Sequence, residues 1–346
     1  MTNLHPPALS LALSLLAPLL SGQTPAASPA QTPAANPAQD TIRVDVPVVF
    51  VPVTVSRQEG GYMDGLTASD FQLTDNGRSV PFDLTTTDTL SAPLALVVAV
   101  QTNEGAMTAL EKIRKVGSVV RALISGQRGS VMVLGYGDEV RTIQTWTRDA
   151  NDLSIAFRSL KPQWTAKARM LDAVKEGIGL LAQRAPEERR VLMVMGETKD
   201  RGSKTGLREV AEAAQREGVI IHGVTYSAYT TAFTKKGAQT PGSSTGGFNV
   251  LGLFTEVGRL GKENTMEALA LASGGRRRGF TTQDGLEEEL GRVGEEIHSQ
   301  YLLSFTPVTP KPGFHQLIVT VKNRKDALVR TRPGYWAGET AGQTKP

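Results

Sequence analysis

The sequence predicts an α/β protein with a doubly wound, mostly parallel six-stranded sheet that has one antiparallel edge strand. The N- and C-terminal flanks are predicted to form a separate small β module. Residues 94–100, Leu-Ala-Leu-Val-Val-Ala-Val, are apolar without interruption, which is typical of a strand covered by helices on both faces. From residue 94 to residue 280 such strands alternate with amphipathic helical patterns, as a parallel sheet requires. The flanks are rich in strand patterns and can pair with each other.

The first 22 residues are predicted to be a signal peptide. Their uncharged apolar segment, 8–20, is shorter than the roughly 20 residues that a bilayer-spanning helix needs. Residues 1–7 contain no Lys or Arg, so a disordered apolar terminus stays open as the alternative. Residues 23–40 are a Pro/Ala-rich segment and predict a disordered linker. We therefore expect an exported protein, periplasmic or secreted, without a transmembrane segment in the mature chain.

Residues 41–90 predict the N-terminal β module. Alternating apolar residues from Ile42 to Val55 indicate a strand, and its two prolines favour an edge position or a bulge. A second strand is expected from Phe71, followed by Asp75-Asn76-Gly77, which is a strong hairpin signal. A return strand is expected over Val80–Thr87.

Residues 91–285 form the predicted α/β domain. The helical pattern after the central strand runs from Met107 to Gly126. The turn at residues 137–138 is too short for a parallel crossover, so the strand 140–147 is expected to be antiparallel to the one before it. Residues 227–262, rich in Gly, Ser and Thr, predict a long insertion loop. Residues 286–337 are expected to supply a helix and strands that pack with the N-terminal module, and 338–346 a loose tail.

Composition excludes several function classes. The chain has 346 residues, a net charge of +4 and no cysteine, so thiol chemistry and disulfides are absent. Acidic and basic residues are interleaved, and the basic run 276–278 is interpreted as solvated surface, so no nucleic-acid partner is predicted. No nucleophile elbow or metalloprotease motif occurs. The segment 202–205, Gly-Ser-Lys-Thr, lacks the contiguous Gly-Lys-Ser/Thr of a phosphate loop. We expect a protein that is not an enzyme.

The order of elements resembles the von Willebrand factor type A (VWA) fold over about residues 90–285: a buried strand, a helix, a hairpin whose second strand is antiparallel, and three further βα units. The flanks resemble a bacterial group of exported proteins built around this domain. The matching segments are Ile42-Arg-Val-Asp-Val46, Val51-Pro-Val-Thr-Val55, Gly65-Leu-Thr67, Asp70-Phe71, Tyr301-Leu-Leu303, Pro307, Pro310, Pro312-Gly313 and Pro333-Gly334-Tyr335.

The resemblance implies a Mg²⁺ site, the metal-ion-dependent adhesion site that many VWA domains carry, but its ligands are replaced here. The family has Asp-x-Ser-x-Ser after the first strand, a Thr before the third helix and an Asp after the fourth strand. In this chain those positions are Gln101, Asn103, Gly105, Ala168 and Glu197. Because Mg²⁺ prefers charged oxygen ligands and Glu197 is the only carboxylate among them, we expect a degenerate site, with no metal and no other cofactor.

The predicted function is a non-catalytic protein–protein interaction module, for adhesion or scaffolding, with an unidentified protein partner. The binding surface is expected at the loops 101–106, 163–168, 197–204 and 227–262, with Glu104, Trp164 and Asp200 at its rim. Two alternatives stay open. One is a weakly metal-dependent ligand-binding domain that uses Glu197 and Asn103, and the other is a nucleotide-dependent enzyme at the same sheet edge.

Overall fold

The computed structural model describes residues 48–85, 93–117, 119–120, 129–185, 187–226, 250–308 and 310–337. All of them belong to one compact unit that spans residues 46–346. The predicted signal peptide, linker and tail lie outside the described residues, as do positions 227–249 of the predicted insertion loop. No described helix is both long and apolar enough to cross a membrane.

A six-stranded sheet forms the centre of the molecule. Its strands are β5 (Leu94–Gln101), β6 (Ser130–Tyr136), β7 (Val140–Thr147), β8 (Arg189–Gly196), β9 (Ile220–Tyr226) and β10 (Arg277–Phe280). They lie in the order β10-β9-β8-β5-β6-β7. Every pairing in this sheet is parallel except that of β6 with β7. The predicted doubly wound sheet with one antiparallel edge strand is therefore confirmed. Strand β5 lies in the interior of this sheet, and all eight of its residues are buried.

Helices cover both faces of this sheet. They are α1 (Met107–Ile113), α2 (Ala150–Arg158), α3 (Met170–Ala182), α4 (Leu207–Glu217), α5 (Val250–Glu263), α6 (Thr265–Ser273) and α7 (Gln283–His298). Side chains alternate between the two faces of β5. Leu94, Leu96, Val98 and Val100 pack with residues of α1, α2 and α7. Ala95, Val97 and Ala99 pack with residues of α3, α4 and α6 on the other face.

The two flanks pair with each other, which confirms the predicted β module. One sheet has the order β13-β1-β11-β4 and the other β14-β12-β2-β3. Their strands are β1 (Val49–Arg57), β2 (Phe71–Asp75), β3 (Arg78–Ser79), β4 (Asp83–Thr85), β11 (Gln300–Phe305), β12 (Gly313–Val321), β13 (Ala327–Thr331) and β14 (Gly334–Ala337). Apolar residues of both sheets, including Val53, Phe71 and Tyr301, form one common core.

Three stretches differ from the expectation. Among the described residues of the predicted return strand Val80–Thr87, only Asp83–Thr85 (β4) form a strand. The strand directly after the turn, β3, ends at Ser79 and belongs to the other sheet, and Pro81, which has no N–H for a ladder, lies between the two. The predicted helix 107–126 is interrupted: residues 117, 119 and 120 are helical and 121–126 lie outside the described residues, but α1 ends at Ile113 and the chain turns at 114–116. A side chain at the following residue, Gly117, would lie 2.8 Å from the Ser154 backbone, so close packing against α2 sets the path there.

The third difference is α5, which lies inside the predicted insertion loop. The densest Gly, Ser and Thr segment, 240–247, comes before Val250, and apolar residues at helical spacing follow, although Gly252, Gly258 and Gly261 lie among them. Val257 is buried and contacts Ala211, Ala268 and Ala272. Burial of an apolar face against α4 and α6 therefore favours the helix.

Candidate functional site

The candidate site lies at the carboxyl edge of the six-stranded sheet. Its floor consists of the last residues of four parallel strands: Gln101 of β5, Tyr136 of β6, Gly196 of β8 and Tyr226 of β9. Ligand sites of open α/β sheets are found at this edge. Two isolated bridges tie the loops above it together, Asn103 with Gln163 and Ala168 with Arg201. Loops that are far apart in sequence thus form one surface.

Three of the predicted site residues form a hydrogen-bonded cluster. The backbone N–H of Glu197 donates to Gln101 Oε1 at 2.8 Å. Gln101 Nε2 donates to Asn103 Oδ1 at 2.8 Å and to Glu197 Oε2 at 3.4 Å. Since a backbone N–H is only a donor, it determines which atom of the Gln101 amide is the oxygen. The NH₂ group of Gln101 therefore points between the two oxygens that a bound cation would need.

Arg201 supplies a positive charge next to this cluster. Its Nε lies 3.3 Å from Glu197 Oε2, and its Nη2 donates to Glu197 Oε1 at 3.5 Å. The carboxylate is nearly buried, whereas the side chain of Arg201 is 54% exposed. The guanidinium group and the Gln101 amide together supply hydrogen-bond donors to Glu197, the one carboxylate among the five positions that the resemblance implied for a metal site.

The two remaining metal positions contribute no side-chain oxygen. Ala168 is fully buried, and its backbone N–H and C=O both bond the backbone of Arg201 at 2.9 Å. Gly105 is exposed at the start of the segment that leads into α1. A Cβ at Gly105 would lie 3.6 Å from the Asn103 amide. The structure therefore brings Gln101, Asn103 and Glu197 together, while Ala168 serves to position Arg201.

Of the three predicted rim residues, two are exposed, and the third, Asp200, is half-buried. Trp164 is 77% exposed, and Glu104 is also exposed. Asp200 instead accepts hydrogen bonds from the backbone N–H of Leu171 at 3.1 Å, from that of Ser203 at 3.2 Å and from Ser203 Oγ at 2.5 Å. Its carboxylate thus holds the loop after β8 against the N-terminus of α3.

Asp172 makes the reciprocal connection. Its carboxylate accepts hydrogen bonds from the backbone N–H groups of Lys204 and Thr205, and its own N–H donates to Ser203 Oγ at 3.2 Å. Burial alone would raise the pKa of Asp172, but the hydrogen bonds from Thr205 and Lys204 outweigh it and the pKa is lowered. The backbone amides that would contact a phosphate in a phosphate loop therefore already bind a carboxylate.

Ser203 lies in the loop before the next helix and does not cap it. That helix, α4, begins at Leu207 with Gly206 as its N-cap residue. Ser203 bonds Asp172 and Asp200 instead.

Two buried tyrosines complete the floor. The hydroxyls of Tyr136 and Tyr226 have no hydrogen-bond partner among the described residues. Burial raises the pKa of Tyr136 well above its usual range, and the charges of Tyr226, Asp200 and Glu197 add to the effect. Burial and then the Glu197 charge also raise the pKa of Tyr226. Both groups are therefore neutral hydroxyls at physiological pH.

Sequence reasoning missed Gln163 and Arg201. The buried side chain of Gln163 donates to Thr102 Oγ1 at 3.2 Å and to the Glu139 carbonyl at 3.0 Å, so it joins the loops after β5, β6 and α2. No motif marks it. Arg201 follows Glu197 by four residues, but that spacing signals an ion pair only on a helix, and the segment 197–206 is not helical.

The basic run 276–278 is not simply solvated surface. Arg277 pairs with Glu267 at 2.7 Å. The Arg278 side chain is 10% exposed and lies 3.0 Å from Glu296, which Arg330 of β13 also contacts. Glu296 is fully buried and belongs to α7. The run therefore contributes to a buried ion network that joins the sheet to the β module.

Comparisons with known proteins identify structural neighbours only. No protein-family model matches the chain, and no match to a curated protein was found. The solved structure of BatB from Bacteroides thetaiotaomicron, described as a conserved hypothetical protein, is 14% identical, with a TM-score of 0.41 over 59% of this chain and 97% of that chain. A von Willebrand factor type A structure from Catenulispora acidiphila is 9% identical, with a TM-score of 0.42 over 85% of this chain and 74% of that chain.

A third neighbour is proximal thread matrix protein 1 from the mussel byssus, whose structure has a zinc-occupied metal-ion-dependent adhesion site. It is 12% identical, with a TM-score of 0.42 over 64% of this chain and 49% of that chain. The fold of the present chain is assigned from its own strand order and not from these values.

Proposed function

We propose that this chain is an exported, non-catalytic VWA-like module that binds a protein partner at the carboxyl edge of its sheet without a metal ion. One observation carries the proposal: the carboxylate of Glu197, buried at the centre of that edge, pairs with Arg201 and Gln101 of the same chain. Because the charge of Glu197 is already balanced within the chain, this surface is suited to binding a protein rather than to coordinating a metal ion.

The donor chemistry of the cluster does not fit a divalent cation. Mg²⁺ requires six oxygen ligands in near-octahedral geometry and prefers carboxylates. Here Gln101 Oε1 accepts a hydrogen bond from the backbone N–H of Glu197, and Asn103 Oδ1 accepts one from the side-chain amide of Gln101. The only carboxylate lies beside a guanidinium group. A cation at this point would have to displace Arg201 and reverse the Gln101 amide.

An enzymatic role has little support at the same edge. The backbone N–H groups at 204–205 bind Asp172, and nucleotide phosphates would have to displace that carboxylate. The carboxylate of Asp200 is occupied by three donors of the fold. Trp164, by contrast, is available to a partner, and its large exposed surface is typical of an anchor in a protein interface.

The proposal is tested by capture of partners on the immobilised mature chain from an envelope extract, with EDTA present throughout. We expect the natural chain and Ile155→Ala to retain the same partner, and Trp164→Ala to lose it. Ile155 is the matched control because it is also an exposed large apolar residue, on α2. Equal capture by Trp164→Ala, or capture only after Mg²⁺ is added, would overturn the proposal.

The absence of a metal requirement has its own test. Calorimetric titration of the natural chain with Mg²⁺, Mn²⁺ and Ca²⁺ is expected to give no binding heat. Binding at millimolar concentration or tighter that Glu197→Ala abolishes would establish the metal-dependent alternative instead.

A further inference from the structure

We infer that the partner is recognised through its acidic side chains, by a cationic site that consists of Arg201, Lys199 and Lys204. This inference rests on the proposed function and names the partner's chemistry. We call these three residues the basic loop site. All three are exposed on the loop between β8 and α4.

The acidic and the basic side chains of this loop point in opposite directions. Its two acidic residues face inward: Glu197 is 8% exposed and bonds Gln101 and Arg201, and Asp200 bonds the N-terminus of α3. Its three cations are exposed, and the charge of Lys204 is near enough to Asp138 to help lower the pKa of that carboxyl group. Although the loop's formal charges nearly cancel, a partner therefore meets mainly positive charge.

Arg201 is held in position for this role. Two backbone hydrogen bonds at 2.9 Å fix it to the buried Ala168, and Glu197 orients one side of its guanidinium group. No hydrogen bond from Nη1 to another described residue is present, and the side chain is half exposed. A guanidinium group that is already oriented can bind a carboxylate with two parallel hydrogen bonds at little further cost in side-chain entropy.

The neighbouring loops limit the size of the positive surface. On these loops Glu104 is exposed, Glu139 pairs with Arg141 at 2.9 Å, and Asp138 pairs with both Lys167 and Arg169. An extended anionic surface such as a membrane would meet these acids as well as the basic loop site. A short acidic peptide segment can contact the cations alone, with its apolar residues against Trp164. We therefore assign the site to an acidic segment of a protein.

The test uses the mature chain and fluorescent peptides of equal length that carry no, few or many acidic side chains, with EDTA present. We expect affinity to increase with the number of acidic side chains and to decrease as salt is raised. Arg201→Gln is expected to weaken binding of the most acidic peptide about tenfold, and Lys199→Gln or Lys204→Gln about threefold each, as for partly exposed charge pairs.

Arg324→Gln is the matched control, because it removes the same charge from an exposed turn of the β module, and we expect it to bind like the natural chain. Arg201→Lys keeps the positive charge but cannot form two parallel hydrogen bonds with a carboxylate, and this variant is expected to bind the acidic peptide with intermediate affinity. Thermal unfolding of each variant identifies any loss that results from misfolding.

Two results would overturn the inference: no preference for acidic peptides, or equal binding of the acidic peptide by the natural chain and by Arg201→Gln. If capture of a partner still depends on Trp164, either result leaves the proposed function in place. Binding to phosphatidylserine vesicles but not to acidic peptides would also overturn the inference, in favour of a lipid surface. Loss of Trp164-dependent capture would instead refute the proposed function itself.

Discussion

At the scale of single residues, Gly196 determines how closely the floor of the candidate site is packed. A Cβ at this position would collide with the Tyr136 hydroxyl and lie 2.7 Å from Gln101 Oε1. We expect Gly196→Ala to lower the free energy of unfolding by about 1–3 kcal/mol, as overpacking of a core does. Denaturant unfolding measures the change.

Gly179 is the control for that substitution. It lies on the exposed side of α3, and a Cβ there meets nothing within 4 Å. Gly179→Ala is expected to raise the free energy of unfolding by about 0.5–1 kcal/mol, because alanine favours a helix over glycine. If both variants change stability in the same direction, the proposed crowding at Gly196 is wrong.

The sequence was sufficient to place Gln101, Asn103 and Glu197 at one edge, because strands of a parallel sheet end at a common edge. It was not sufficient to predict their hydrogen bonds. The direction of the Gln101 amide depends on the N–H of Glu197, almost a hundred residues away. The role of Arg201 depends on a backbone bridge to Ala168 that no local pattern indicates.

His222 provides a second prediction at this scale. It is fully buried in β9, its nitrogens have no hydrogen-bond partner among the described residues, and its Nδ1 is 3.8 Å from Glu296 Oε1. Burial lowers the pKa of His222 to about 4; the Glu296 charge opposes this shift, and the charges of Arg330, Arg278 and Arg276 add to it.

Because the folded pKa of His222 lies below the unfolded value of about 6.5, the unfolded chain binds more protons between these two values. Its contribution to stability is complete above about pH 6.5 and is lost as the pH falls towards about 4. We expect the free energy of unfolding to fall in this range, and the fall to be smaller in His222→Gln. An identical pH profile for the variant would contradict the assignment.

At the scale of elements, the loop after β8 and the N-terminus of α3 stabilise each other. Asp172 of α3 accepts the N–H groups of Lys204 and Thr205, and Asp200 of the loop accepts the N–H of Leu171. Asp172→Ala is expected to lower the free energy of unfolding by about 1–2 kcal/mol, the usual cost of losing such bonds. It should also accelerate hydrogen exchange at the amides of residues 204 and 205.

Glu176→Ala is the matched control, since Glu176 is an exposed acidic residue one turn further along α3. We expect its exchange rates at residues 204 and 205 to equal those of the natural chain. Unchanged exchange in Asp172→Ala would show that the loop is held by other contacts.

The sequence is most informative where the helical period and the capping residue agree locally. This is the case for α7 (Gln283–His298), capped by Thr282, and for α6 (Thr265–Ser273), capped by Asn264. Predictions were wrong where distant packing decides. The helix α5 forms against α4 and α6, and the strand after the hairpin divides between two sheets, which no local pattern reveals.

At the scale of the whole molecule, an ion pair and a hydrogen bond join the β module to the α/β part. Arg330 of β13 contacts the buried Glu296 of α7. Trp336 Nε1 donates to Gln215 Oε1 of α4 at 3.1 Å, and the side chain of Gln215 donates to the Ala272 carbonyl. Separating the two parts would leave the Glu296 carboxylate without one of its guanidinium partners, which is costly for a buried charge. We therefore expect the two parts to unfold together.

Tyr301 of β11 allows that cooperativity to be measured. Its buried hydroxyl donates to the Met63 carbonyl at 2.7 Å and accepts the N–H of Leu66 at 3.1 Å, both within the β module. Tyr301→Phe leaves these two groups unpaired and should lower the free energy of unfolding by about 1–3 kcal/mol. Tyr62→Phe makes the same chemical change at a half-buried residue of the module and should have a much smaller effect.

The described α-helices belong to the α/β part, so the helical circular dichroism signal reports on that part and not on the module. If the molecule unfolds as one unit, Tyr301→Phe shifts the helical transition and the near-ultraviolet transition by the same amount. A helical transition that stays in place while the near-ultraviolet signal shifts would mean that the module unfolds separately. The ion network around Glu296 would then be too weak to couple the flanks to the sheet that carries the candidate site.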